Sequence, residues 1–407
     1  MILEGRFWHP QRGLTDGCVA IGDDGTIKRV AKTISGAKER VRGMLLPAGL
    51  DMHVHFRDPG FPHKEDWASG STAAACGGIT AVVDMPNTQP PTDSPAAFAD
   101  KARRAATASV VDFGLGVSAR PGISRETWFD ELPAAFWKLY PYGISWEDYQ
   151  STATEVTAAG GHPLVIHGEH PSHIAPGPPR ELAEHTAHRQ LAEAECLAGM
   201  PASPQLHVAH LSTADGLAGL PVGATAEVCP HHLLLNLDAC DSLECKVDPP
   251  LRTPRDNAAL WRGFRDGRIA VLASDHAPHL PEEKASGAPP SGIPGVETML
   301  PLMLQQVVTG NLELGRLVNA MAEAPADRLG LSRGRIARGQ PADLIEVDTK
   351  ATRPVVLERL HSRAGWTPYE GWDAILPQRV WRRGELVAAD GEPQASRGGQ
   401  PLFTAQP

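Results

Sequence analysis

Eight apolar, β-branched runs alternate with helix-like stretches through the middle of this chain, and this alternation constrains its fold more than any other feature. We predict strands over Pro47–His53, Ile79–Asp84, Val110–Val117, Ala135–Tyr140, Pro163–His167, Gln205–His210, Ala224–Cys229 and Ile269–Ser274. Nearly continuous apolar strands separated by helices are typical of a parallel sheet that is covered on both faces. Eight such units predict an α/β fold, a TIM-like (β/α)8 barrel. An open doubly wound sheet is the alternative, but no Gly-x-Gly-x-x-Gly turn follows the first strand.

The two ends of the chain are β-rich in a different way, with short strand-like runs. The clearest of these are Cys18–Ile21, Thr26–Val30, Ala342–Asp348 and Arg379–Arg382. We predict that residues 1–47 and 336–407 meet in one small discontinuous β-sandwich domain, while the barrel occupies residues 48–335. The tail after about Asp390 is rich in Gly, Gln, Ser and Pro, and we expect it to be poorly ordered.

Charge and composition exclude several classes of function. The formal net charge of −10 argues against nucleic acid as the main partner, because phosphate binding favours a basic surface. No apolar run approaches the length of a membrane span, and the N-terminus lacks the pattern of a secretory signal, so we expect a cytoplasmic protein without a membrane partner. Six cysteines in 407 residues do not form a disulfide framework. We therefore interpret Cys229, Cys240 and Cys245 as ordinary reduced thiols.

A His-x-His pair follows the first predicted barrel strand. His53 and His55 are two residues apart, so on a strand their imidazoles lie on the same face, with Arg57 further along if the strand continues. Two such imidazoles suit zinc or a similar divalent ion, and the guanidinium suits a substrate that carries a carboxylate. An isolated pair of this kind is more often structural than metal-binding. Whether this pair binds metal therefore depends on the residues at the ends of the other predicted strands.

In a (β/α)8 barrel the chemistry takes place at the carboxyl ends of the strands. The polar residues that the sequence places there are His53, His55, Asn87, Lys138, His167, His210 and Asp275. Each has an ordinary structural explanation, but four histidines and an aspartate at one end of one barrel are rarely a coincidence. His210 is preferred to His207 as the inward-facing residue because it is nearer to the strand end. His231 and His232 follow the seventh strand, where a packing role is as acceptable as a place in the site.

Two of these residues suggest a mechanism. Lys138 is unusual in an interior strand: either it extends to solvent, or it is a desolvated amine that can add carbon dioxide and become a metal-bridging carbamate. Asp275, at the end of the last strand, is well placed to act as a general base beside a metal-bound water.

Several longer motifs carry a family resemblance. They include Asp51-Met-His-Val-His-Phe-Arg-Asp-Pro-Gly60, Asp84-Met-Pro-Asn-Thr88, Lys138-Leu-Tyr-Pro141, Cys229-Pro-His-His-Leu233, Ser274-Asp-His-Ala-Pro-His279 and Gly292-Ile-Pro-Gly-Val-Glu-Thr298. Together they resemble the dihydroorotases of the amidohydrolase superfamily. This family catalyses the reversible ring closure of N-carbamoyl-L-aspartate to dihydroorotate in pyrimidine synthesis, which is therefore the activity we expect.

The resemblance also implies roles for individual residues. It makes His53, His55, Lys138, His167, His210 and Asp275 the ligands of two zinc ions, which a carboxylated Lys138 and a hydroxide bridge, with Asp275 as the catalytic base. It makes His55, Arg57, Asn87, Asp248, His279, Ser291 and Gly292 the substrate-binding residues. Asp248 departs from the Asn or Arg of many relatives and would repel an anionic substrate unless it is turned away.

Two rival functions use the same residues. A hydantoinase or allantoinase would share the metals but would have no substrate carboxylate for Arg57. An inactive homologue could serve only as a scaffold for aspartate transcarbamoylase, although a scaffold does not need the whole ligand set. We also expect a homodimer, and association with aspartate transcarbamoylase remains open.

Overall fold

The eight apolar runs form one parallel sheet in the computed structural model, which describes residues 1–174, 181–240 and 242–404. Numbered after the four strands of the N-terminal segment, they are β5 (Gly49–Val54), β6 (Ile79–Asp84), β7 (Asp112–Ser118), β8 (Phe136–Leu139), β9 (Leu164–His167), β10 (Leu206–Ala209), β11 (Thr225–Val228) and β12 (Val271–Leu272). Each strand pairs with the next, and a bridge between Val54 and His276 connects the last strand region to the first. The predicted (β/α)8 barrel is confirmed.

Helices connect the strands. They are α1 (Trp67–Cys76), α2 (Pro95–Ala108), α3 (Trp146–Ala159), α4 (Leu182–His188), α5 (Ala192–Ala198), α6 (Ala214–Ala218), α7 (Pro230–Leu234), α8 (Pro254–Arg265), α9 (Pro281–Lys284), α10 (Met299–Val308), α11 (Leu314–Val318) and α12 (Ala324–Arg328). Side-chain caps explain where the longer helices begin: the Asp66 carboxylate accepts from the Ser69 N–H at 2.9 Å, and Ser94 caps α2 just before a proline. Within the described ranges, no helix is long and apolar enough to cross a membrane.

Adjacent residues on the barrel strands pack on opposite faces, as a pleated strand requires. Val82, Ile166 and Val208 belong to the large apolar cluster that also contains residues of the surrounding helices. Their neighbours pack in a second cluster that includes Phe136 and Val165. Lys138 and His167 are each two residues further along the same strands as Phe136 and Val165, so the polar side chains follow directly above this apolar layer.

The chain ends supply a second eight-stranded sheet. Its strands are β1 (Ile2–His9), β2 (Gly13–Ile21), β3 (Ile27–Ala31), β4 (Glu39–Pro47), β13 (Leu344–Val347), β16 (Arg379–Arg382), β17 (Glu385–Ala389) and β18 (Glu392–Pro393), while β14 (Arg353–Pro354) pairs separately with β15 (Asp373–Ala374). β4 lies between β1 and β13, so the N-terminal and C-terminal segments are joined by hydrogen bonds. The division into residues 1–47 plus 336–407 and residues 48–335 stays a prediction.

The C-terminal tail is ordered up to residue 404, and the expectation of disorder was wrong. The Phe113 N–H donates to the Gln400 carbonyl at 2.9 Å, and the Leu402 N–H donates to the Phe113 carbonyl at 2.7 Å. Leu402 and Phe403 pack against the inner apolar cluster of the barrel. Phe113 is near the start of β7, so the tail covers the amino-terminal end of the barrel, opposite the strand ends that carry the polar residues. Composition did not indicate this because the tail has few apolar residues, and the backbone hydrogen bonds that hold it leave no sequence pattern.

Replacing both Leu402 and Phe403 by alanine is expected to destabilise the protein by about 2 kcal/mol, because both side chains are partly buried. Thermal unfolding monitored by circular dichroism should show a midpoint lower by about 3 °C. The exposed Thr404 replaced by alanine is the matched control and should leave the midpoint unchanged. Equal midpoints for the double variant and the parent would contradict a stabilising tail.

Cys240 and Cys245 form a disulfide, which corrects the expectation that both are reduced thiols. They are five residues apart in sequence, and the short 3₁₀ turn Leu243–Cys245 brings their Cα atoms to 6.4 Å, within the span of a disulfide. Spacing alone did not indicate this turn. Cys229 remains a buried free thiol, as expected.

Candidate metal centre and substrate pocket

The four histidines predicted at the barrel strand ends lie together and are buried. The ring centres of His53 and His55 are 5.3 Å apart, and the ring centre of His210 lies 5.2 Å from that of His53 and 4.5 Å from that of His167. His167 ends β9, whereas His55 and His210 follow directly after their strands. Period-two spacing and strand-end position therefore predicted this cluster correctly.

Asp275 completes a group of possible metal ligands. Its Oδ1 lies 3.3 Å from His53 Nε2 and 3.2 Å from His55 Nε2, and one ligand atom from each of these three residues falls within 4.8 Å of the others. Burial raises the pKa of the Asp275 carboxyl, but the neighbouring His53 and His55 outweigh burial and hold it below its usual range. The carboxylate is thus ionised and available as a ligand or a base.

Lys138 is fully buried, which excludes the alternative in which it extends to solvent. Burial lowers its pKa to about 8. Within the described part of the chain its Nζ has no hydrogen-bond partner, and neither does Nδ1 of His210. An unsatisfied buried polar atom is costly, so these atoms indicate that the site is built for additional groups. Imidazole and carboxylate ligands around them fit divalent metal ions such as zinc.

Glu227 on β11 supports the histidines, and sequence reasoning missed it. It is fully buried and binds Nδ1 of His53, while its Oε1 accepts from the His210 N–H at 3.2 Å and its Oε2 lies 3.2 Å from His207 Nε2. A carboxylate behind a metal-binding histidine fixes the ring and its tautomer. Its one sequence signal was the same as that of Lys138, a charged residue inside an apolar strand.

A second missed carboxylate, Glu169, holds His167. Its Oε2 lies 2.7 Å from His167 Nε2 and 3.2 Å from Arg189 Nη1, and its Oε1 lies 3.5 Å from Arg252 Nη2. Burial raises the pKa of Glu169, but Arg189, His167 and Arg252 together outweigh burial and lower it overall. The network keeps a carboxylate ionised behind the histidine.

Asp248 belongs to the same network, so its carboxylate is paired with a cation. Its carboxylate pairs with Arg189, lies 2.8 Å from His185 Nε2 and accepts from the Tyr142 hydroxyl at 3.2 Å. The Arg189 guanidinium therefore neutralises the charge that would otherwise face a substrate.

A cavity of about 110 Å³ opens beside the histidines. Its walls include six of the predicted substrate-binding residues, namely His55, Arg57, Asn87, Asp248, Ser291 and Gly292, together with Tyr140 and Tyr142, which had not been singled out. His279 stands behind this wall, with its Nε2 3.0 Å from Arg57 Nη2 and 3.1 Å from the Ser291 carbonyl oxygen. His231 and His232 are buried and lie outside the cavity wall.

Arg57 reaches the cavity through a turn, because β5 ends at Val54, and the condition that the strand continues to residue 57 is not met. The backbone N–H of Phe56 donates to Asp84 at 2.6 Å, and Arg57 has a left-handed φ of 62°. His210 and Asp275 also have positive φ, of 37° and 47°. Non-glycine residues in this region store strain, which is concentrated here at the functional site.

Known proteins resemble this chain both in sequence and in structure. Residues 44–387 match the sequence profile of the amidohydrolase family. The chain is 39% identical to a dihydroorotase of Halobacterium salinarum over 84% of its own length and 86% of that protein. It is 38% identical to a dihydroorotase of Methanothermobacter thermautotrophicus over 93% and 92%, respectively. The L-hydantoinase (dihydropyrimidinase) of Arthrobacter aurescens has a similar structure, with a TM-score of 0.89 at 27% identity over 99% of both chains.

Proposed function

The chain belongs to the amidohydrolase family and, within it, to the dihydroorotases, and we propose that it interconverts N-carbamoyl-L-aspartate and (S)-dihydroorotate in pyrimidine synthesis. This choice of substrate rests on the position of Arg57 and Asn87, which line the same cavity as the histidines proposed to bind metal. A guanidinium and an amide together bind a carboxylate. N-carbamoyl-L-aspartate and dihydroorotate both keep the α-carboxylate of the aspartate unit, which takes no part in the ring closure.

We propose that His53, His55, Lys138, His167, His210 and Asp275 hold two zinc ions, with Lys138 as a carboxylated, bridging ligand. Zinc at such a centre supplies Lewis-acid polarisation of a carbonyl and a nucleophile near neutral pH. The buried, unpartnered Nζ of Lys138 supports the carbamate, since a carbamate would replace an isolated buried amine by an anion that metal ions neutralise.

The protein's own residues then have separate tasks. Arg57 and Asn87 hold the substrate carboxylate, and His279 and the Ser291–Gly292 backbone complete the pocket around the ring. In the hydrolytic direction, Asp275 accepts the proton of the attacking water and delivers it to the ring nitrogen as the carbon–nitrogen bond breaks. Glu227 and Glu169 keep His53 and His167 oriented throughout.

The Arg57→Ala variant tests the proposed substrate and distinguishes a dihydroorotase from a hydantoinase. The structural similarity to an L-hydantoinase makes that enzyme the alternative to exclude. Removing the guanidinium leaves the substrate carboxylate unpaired, so kcat/KM for dihydroorotate should fall about 100-fold. Hydantoin has no carboxylate, and any trace turnover of hydantoin should change little. Steady-state assays of both substrates at equal zinc content provide the measurement.

The control is Arg12→Ala, which removes an exposed guanidinium near the N-terminus and should leave the rates with both substrates unchanged. A parent enzyme that turns over hydantoin or allantoin faster than dihydroorotate would contradict the proposed substrate. A parent chain that neither retains zinc nor gains activity from zinc and bicarbonate would favour the inactive scaffold.

Further expectations about the cellular context belong to the same proposal. We propose a homodimer in the cytoplasm, with a small-molecule substrate and neither nucleic acid nor membrane as a partner. Association with aspartate transcarbamoylase is a testable extension, because that enzyme would supply the substrate N-carbamoyl-L-aspartate.

A further inference from the structure

Lys284, the last residue of α9, is a buried cation that belongs neither to the proposed metal centre nor to the lining of the substrate pocket. It is 2% exposed. Its Nζ donates to three backbone carbonyls, those of Lys246 at 3.1 Å, Pro290 at 2.9 Å and Gly292 at 2.9 Å. An ammonium group has three N–H donors, so these contacts use its full capacity.

The three carbonyls belong to two loops that meet behind the substrate pocket. The Gly292 N–H donates to the Lys246 carbonyl at 2.9 Å, and the Lys246 Nζ donates to the Pro289 carbonyl at 3.0 Å. Lys246 is two residues before Asp248, and Ser291 and Gly292 line the pocket itself. Lys284 therefore joins the two loops at the point where they form one wall.

The position of Gly292 allows little movement. Its φ is 131°, and a Cβ atom added there would lie 2.6 Å from the Ala277 carbonyl oxygen. The pocket wall at this residue is therefore bare backbone pressed against the segment that follows Asp275. A small displacement of the loop that contains Gly292 would change the shape of the pocket, since Gly292 has no side chain to fill the gap.

The chemistry of the Lys284 environment suits a clamp better than an ion pair. Within the described ranges, no carboxylate lies within salt-bridge distance of its Nζ, and the centre of the Trp366 ring lies 5.5 Å from it. Burial lowers the pKa of Lys284 to about 7, while the three carbonyl oxygens favour its ammonium form. Burying a cation costs desolvation energy, which the three hydrogen bonds to carbonyl oxygens offset in part.

We propose that Lys284 is a positioning residue: it holds the Ser291–Gly292 segment against the Lys246–Asp248 segment and so sets the shape of the substrate pocket without touching the substrate. The inference rests on the proposed function for its kinetic consequence, but the clamp itself is independent of that function. A merely structural lysine would instead stabilise the whole barrel and leave substrate affinity alone.

The Lys284→Met variant tests the clamp, because methionine fills similar space and cannot donate. KM for dihydroorotate should rise about 10-fold, which corresponds to about 1.4 kcal/mol of binding free energy lost when the pocket is less well preorganised, while kcat stays within about twofold. Hydrogen exchange followed by mass spectrometry, without substrate, should accelerate in peptides spanning residues 244–249 and 287–293 and remain unchanged elsewhere. Lys32→Met, at an exposed position, is the matched control.

Lys284→Gln retains part of the donor capacity and should show a smaller rise in KM, which keeps the test available if the methionine variant folds poorly. Unchanged exchange in both peptides would overturn the clamp, and so would faster exchange spread over the whole barrel with KM unaltered. Failure of the parent enzyme to use dihydroorotate would refute the proposed function, whereas the exchange data would still judge the clamp.

Discussion

Asp275→Asn is expected to lower kcat for dihydroorotate hydrolysis by about 1000-fold, within the range for loss of a positioned general base. Asparagine retains the shape of aspartate and an oxygen that can contact metal, but it cannot accept a proton at pH 7. Because Arg57 and Asn87 remain in place, dihydroorotate should still bind with little change in affinity. Steady-state kinetics and isothermal titration of dihydroorotate measure the two quantities separately.

Zinc analysis must accompany this experiment, since Asp275 also lies 3.2–3.3 Å from the two histidines of the proposed metal centre. A variant that keeps its zinc and loses turnover identifies Asp275 as the base. The exposed Asp238 replaced by asparagine is the control and should behave like the parent. Substantial residual turnover in the zinc-loaded Asp275→Asn enzyme would remove this residue from the proton-transfer role.

Lys138→Ala is expected to lose about one of the two zinc ions, because a bridging ligand would hold both metals. Its activity should fall on the order of 100-fold or more, a loss of more than about 99%. Short carboxylic acids such as acetate should restore part of the zinc content and activity, because a carboxylate can occupy the place of the carbamate. Metal counting by mass spectrometry, with and without acetate, gives the result directly.

Lys138→Arg discriminates between an anionic and a cationic role at this position. Arginine keeps a positive charge but does not form a carbamate, so it should lose zinc as alanine does and acetate should not rescue it. If Lys138 acts as a cation, the arginine variant should retain zinc and activity. Two zinc ions per chain in both variants would be incompatible with carboxylated Lys138.

Much of the site could be predicted from sequence because the relevant rules are local. The two-residue period of a strand predicted the proximity of His53 and His55, and the barrel rule placed His167, His210 and Asp275 at the same end. Arg57 was predicted in the right pocket for an incomplete reason, since a turn with a left-handed residue, and not a continuing strand, directs it there.

What the sequence could not predict depends on contacts between distant segments. Glu169 and Glu227 are recognisable as histidine supports only after the strands are placed side by side. The neutral pairing of Asp248 with Arg189 requires two loops to meet, and the docking of the tail through Leu402 depends on the shape of the barrel's lower end. None of these contacts leaves a period or spacing that can be read along the chain.

Glu227 has a consequence for how the protein folds. It is 174 residues from His53, and the Asp51 carboxylate accepts from the Ser274 N–H across 223 residues. Contacts between such distant residues form slowly, because a long loop must close before they are made. Of the proposed metal ligands, His53 and His55 are the pair closest in sequence, whereas Asp275 and the supporting Glu227 come from later strands. We therefore expect the proposed metal centre to form late in folding, as the barrel closes.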